Sequence, residues 1–69
     1  MTQIQYWSPL RSGAVTHELA DDSARVEVQR LLSLPGVSEI VVWWPEHEIT
    51  HAIRQRSTGA WHFLRGDAP

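Results

Sequence analysis

The chain has 69 residues, no cysteine and a formal net charge of −2, made of six arginines, no lysine and eight acids. A domain of this length buries only about 60% of the surface of its unfolded chain, so its core is thin, and no disulfide or thiolate zinc cluster is there to reinforce it. The acidic balance argues against general attraction to nucleic acid or anionic lipid, no apolar run approaches the roughly 18 residues of a membrane span, and "MTQIQYWSPL" lacks a basic region followed by an apolar one; the expected setting is the cytoplasm, away from membrane.

Gln3 to Trp7 alternates and carries β-favouring aromatics, which predicts a strand, and "SPLRSG" after it is loop chemistry. "AVTHEL" reads as a second short strand paired with the first, with the opening turn of the next helix as the competing reading. In "DDSARVEVQRLLSLPG" the oxygens of Asp21, Asp22 and Ser23 suit a helix start, and Ala24, Val28, Leu31 and Leu32 recur on one helical face until Pro35 and Gly36 stop it. "VSEIVVWW" is too continuously apolar for an edge with one wet face and predicts a central strand. Trp43 and Trp44 then point to opposite sides, one toward the core and the other partly toward solvent.

Pro45 to Arg56 admits two readings. As a helix it places Pro45 and Glu46 in the first turn and Ile49, Ala52 and Ile53 on one face; as a strand it runs into "STGA" and a hairpin partner, "WHFLR". The strand is preferred, because Trp44 is a poor N-cap and Trp61 to Arg65 needs a neighbour. The choice decides the meaning of His47, Glu48 and His51, which spell the H-E-x-x-H string of zinc peptidases. On a helix the two histidines lie about 6 Å apart and share a metal; on a strand they stand about 13 Å apart and do not. Even the helical form lacks a ready third ligand, since no glutamate follows Glu48 and only His62 or Asp67 remains. No metal or other cofactor is therefore assigned, with His47, His51 and His62 the candidates should the helix form.

A two-residue turn at Thr58 and Gly59 pairs Arg56 with Trp61, Arg54 with Phe63 and Ile53 with Leu64. One hairpin face then holds Ile49, His51, Ile53, His62 and Leu64, and is expected to lie on the helix. The other holds Arg54, Arg56, Trp61, Phe63 and Arg65, and is expected to be an exposed arginine-aromatic patch, the residue types that concentrate energy in interfaces. "RGD" at Arg65 to Asp67 has the form of an integrin tripeptide and is attributed to chance.

The expected architecture is α+β: a small antiparallel sheet of about four strands with one helix packed on one face, in the order β, (β), α, β, β, β, as a single domain over residues 1–69. The expected function is non-catalytic: an adaptor, inhibitor or regulatory module, of a kind phages and mobile elements encode, binding a protein partner or a second copy of itself through that patch or an edge strand. Single-stranded nucleic-acid binding by the same residues is the alternative, and an H-E-x-x-H zinc hydrolase the third reading.

Overall fold

The computed structural model describes residues 1–10 and 12–67. Strands β1 (Thr2–Trp7) and β2 (Val15–Leu19) form a hairpin, helix α1 (Asp21–Ser33) crosses one face, and β3 (Glu39–Trp43), β4 (Ile49–Arg54) and β5 (Trp61–Arg65) follow as a meander. All pairings are antiparallel, and the spatial order is β2-β1-β3-β4-β5. The α+β class agrees with the sequence reading, with five strands rather than about four. As the apolar run of residues 37–44 implies, β3 is the middle strand. No helix among the described residues is long and apolar enough to cross a membrane.

The core is one layer deep. Ala24, Val28 and Leu31 from the inner stripe of α1 meet Ile4, Ile40, Val42 and Ala52 from alternate positions of β1, β3 and β4, with Val37 closing one end. Tyr6, Leu19, Leu32, Trp44, Trp61 and Phe63 pack around its margin. Polar groups drawn into this layer are costly unless bonded. The Thr2 hydroxyl donates to an Asp21 carboxylate oxygen at 2.7 Å, and the Thr50 hydroxyl accepts from the Trp44 indole N–H at 2.9 Å. Both threonines are buried.

The start of α1 differs from expectation. Ala20, which has no side-chain oxygen, occupies the N-cap, and Asp21 and Asp22 lie within the first turn. Their charge still complements the positive end of the helix. Asp21 is taken up by Thr2 and so ties the helix start to β1.

On the outer side of α1, Arg30 and Glu27 form a two-point ion pair, with Nη2 2.9 Å from Oε2. This hydrogen bonding holds the Glu27 carboxyl below its usual value against a smaller opposing effect of burial. A depressed folded-state value means that the pair's stabilisation is present at neutral pH and is lost as the pH falls through that value. In an NMR acid titration Glu27 should therefore protonate below the ordinary glutamate value. Arg30→Gln should bring its midpoint back up with little change in stability, as befits a surface pair.

The β4–β5 hairpin is the main correction. Its loop has four residues rather than two: Gln55 N–H donates to Ala60 O, and Gly59 N–H donates back to Gln55 O, both at 2.8 Å. Arg54 therefore faces Trp61, Ile53 faces His62 and Ala52 faces Phe63. A shift of two residues conserves side-chain parity, so Arg54, Trp61 and Phe63 do share a face. That face lies on the helix, however, and the face bearing Ile49, His51, Ile53 and His62 is the open one.

Candidate functional site

The H-E-x-x-H string does not lie on a helix. Pro45–His47 form a single 3-10 turn in which Glu46 and His47 have positive φ (65° and 64°), Glu48 is extended, and β4 begins at Ile49. His47 and His51 thus belong to different elements, and the shared helical face that zinc peptidase chemistry needs is not formed. The His51 imidazole Nε2 instead lies 2.7 Å from Glu39 Oε2 on the neighbouring strand. Among the described residues no three His, Asp or Glu side chains gather closely enough to hold one ion.

The five residues expected to form an exposed patch are divided by the fold. Arg54 reaches under the end of α1: its Nε donates to Val37 O at 2.9 Å, and Nη2 donates to Leu34 O at 2.8 Å and Leu32 O at 3.2 Å. The last carbonyls of a helix have no partner within it, and a planar five-donor cation suits them in shape and charge. Trp61 adds an indole N–H to Leu32 O at 2.9 Å, with the Arg54 guanidinium 4.6 Å over its ring. Phe63 packs on the core margin. Arg56 lies in the exposed hairpin loop, and Arg65 is exposed at the end of β5, paired with His51 beyond a bulge.

Side-chain direction follows from alternation. The isoleucines at 49 and 53 outweigh Thr50 and Ala52 in apolar area, which is why sequence alone turns the hairpin the other way. The packed arrangement puts the small Ala52 in the core and sets Arg54 and Trp61 on the carbonyl of Leu32 near the end of α1.

The inversion exposes a second apolar surface. Across the middle of the open face the strand registers set Gln5, Val41 and His51 in one row. The row on one side holds Gln3, Trp43 and Ile49; the row on the other holds Trp7, Glu39, Ile53 and His62. Val41, Trp43, Ile49, Ile53 and Trp7 stand apart from the core cluster, and among the described residues no second layer of helix or sheet lies over them. Trp43 is 36% exposed, whereas its neighbour Trp44 is held on the helix side by Thr50 and by the Arg25 guanidinium 5.1 Å over its ring. Trp7, Val41 and Trp43 were not distinguished by the sequence as site residues. The signal for them is the unbroken apolar run of β3, which supplies two apolar faces when the single helix can cover one.

Polar residues share this face with the apolar ones: Gln3, Gln5, Glu39, His51 and His62 stand in the three rows, Thr16 and Glu18 continue two of them on β2, and Glu39 and His51 are in contact. Its apolar side chains are two aromatic rings, Trp7 and Trp43, and three branched aliphatics, Val41, Ile49 and Ile53, residue types suited to contact. Its interpretation rests on this geometry alone, because comparison with protein-family models, curated proteins and solved structures gives no match.

Proposed function

We propose that this chain is a small non-catalytic protein-binding module, an adaptor, inhibitor or regulatory protein, that docks through the open face of its sheet. One observation carries the reading: α1 covers one side of a five-stranded sheet, and the other side presents Trp7, Val41, Trp43, Ile49 and Ile53 without a second layer. Domains of this type are built from layers that bury each other's apolar faces, and an apolar sheet face left open marks an interaction site.

Single-stranded nucleic-acid binding is the weaker alternative. It needs rings beside cations that follow a phosphate backbone. Of the six arginines, Arg54 is engaged by helix carbonyls, Arg30 by Glu27 and Arg25 by Trp44, and the centre of the open face carries Glu39. Protein docking does not need cations along the face, and the aromatic and branched side chains there suit it.

The test compares wild type, Val41→Arg and Arg56→Ala as baits held at low density in lysate of the source cell, beside a titration of each with oligothymidine followed by tryptophan emission. The expected result is a protein retained by wild type and Arg56→Ala through 0.3 M salt and lost with Val41→Arg, and no oligonucleotide response. Quenching by oligothymidine that falls steeply with salt and weakens in Arg56→Ala would replace this reading with the nucleic-acid one.

A further inference from the structure

We infer that the occupant of the open face is a second copy of this chain, packed sheet on sheet about a twofold axis that runs across the strands at Val41. The inference rests on the protein-docking reading above and names the partner. Two features of the face support it, its area and its self-complementarity.

Five strands about 4.8 Å apart, each presenting about 17 Å of length, give a flat footprint of about 400 Å² per copy. That is near a tenth of the 4650 Å² surface of the molecule, the share that stable protein interfaces take. Counting both copies and the relief of the side chains brings the buried area to about 1,000 Å², the lower bound for a specific contact. Pairing at the unprotected edge of β2 through its five residues would bury far less, so the face and not the edge is the stronger candidate.

The registers fix what meets what. Rotation about an axis across the strands exchanges the two outer rows of the face and leaves the middle row on itself. Val41 then meets Val41, and Ile49 of each copy meets Ile53 of the other. Trp43 comes over the partner's Glu39, where the carboxylate already holds His51 within its own copy, Trp7 comes over the partner's Gln3, and Gln5 and His51 each meet their own counterpart at the polar flanks of the Val41 contact. An axis along β3 would instead stack Glu39 on Glu39, a like-charge contact that the axis across the strands avoids, and would part Ile49 from Ile53. Aligned sheets cross at about −30°, a rotation small enough to keep these contacts near the axis.

The natural absence of cysteine supplies the experiment. Sedimentation velocity from about 1 µM to 1 mM should show a reversible monomer–dimer equilibrium. Val41→Arg and, separately, Trp43→Arg should each raise the dissociation constant at least about thirtyfold, as removal of a central anchor does. Both substitutions lie on the open face, so far-UV circular dichroism and the melting transition of the dilute protein should be retained. Sheets in contact lie about 10 Å apart, too far for a disulfide but within reach of a short bis-maleimide. Val41→Cys alone should cross-link to itself. Ile49→Cys mixed with Ile53→Cys should cross-link to each other more readily than either does alone.

A dimer that persists in Val41→Arg, or faster self-linking of Ile49→Cys than linking to Ile53→Cys, would overturn the proposed packing. A chain that stays monomeric to 1 mM overturns the second copy as occupant. If that monomer still captures another protein in a Val41-dependent way, the docking reading stands without the dimer; if capture ignores Val41, both fall.

Discussion

Arg54→Ala is expected to lower the stability of the domain by about 3–4 kcal/mol and its melting temperature by about 15–25 °C. The side chain donates to the carbonyls of Val37, Leu34 and Leu32, and to Gly59 O at 3.3 Å, so one residue joins the end of α1, the approach to β3 and the β4–β5 loop. Hydrogen bonds from a charged donor contribute about 1.5–3 kcal/mol each. They are not additive here, and water reaches part of the site once the side chain is gone, so the sum is discounted to little more than two of them. The loss is still large beside the total of about 3–10 kcal/mol expected for 69 residues. Arg54→Lys keeps the charge and most of the stem, but its ammonium cannot face carbonyls from three residues in one plane, and about half the loss should remain. Denaturant melts of the three proteins check this. A melting temperature within about 2 °C of wild type for Arg54→Ala would show that the guanidinium does not cap the helix. For the same reason, loss of a binding partner in Arg54→Ala would say nothing about an interface, and Val41 and Trp43 are the positions at which binding is to be read.

The role of Arg54 shows where sequence pattern stops being informative. The helix is legible because its signals are local: acids at the start, a stripe at Ala24, Val28 and Leu31, and a Pro-Gly stop. The strands are legible for similar reasons, and so is the common face of Arg54, Trp61 and Phe63, because alternation fixes parity without reference to anything distant; Arg65, beyond the bulge, is set opposite His51 instead, and Arg56 falls in the loop. What a periodic pattern does not carry is the sign, that is, which of two mixed faces turns inward. Here the face with fewer large aliphatics is inside, where Arg54 and Trp61 supply donors to carbonyls at the end of α1. Those contacts link residues 20 or more positions apart and exist only once the helix is laid on the sheet. The candidate site moved with that sign. Arg54, Trp61 and Phe63 became part of what holds the fold together, and the open face passed to Trp7, Val41, Trp43, Ile49 and Ile53. The loop length was missed for a local reason: "STGA" is compatible with a two-residue turn, and only the pairing of Gln55 with Ala60 shows that four residues are used.

Gly66→Ala should cost about 3–5 kcal/mol, whereas Gly59→Ala, at a glycine with the same φ of 74°, should cost about 1 kcal/mol. The left-handed backbone disfavours any other L-residue equally at the two sites, and added stiffness of the unfolded chain helps both variants to the same small degree. They differ in space. A Cβ at Gly59 meets nothing within 4 Å, while one at Gly66 comes within 2.9 Å of Ile49 O, 2.9 Å of the Thr50 hydroxyl and 3.1 Å of Thr50 Cα. Two of those three atoms are backbone of β4, an interior strand that cannot yield without disturbing its pairing with β3. The hydroxyl is also fixed, because it accepts the Trp44 indole N–H. The chain must therefore leave β5 through a residue without a side chain, which gives the glycine of "RGD" a reason in the fold and leaves the tripeptide no need of a receptor to explain it. Parallel urea melts of the two alanine variants decide the matter: equal losses would mean that β4 gives way at Ile49 and Thr50, and that the close approach at Gly66 constrains nothing.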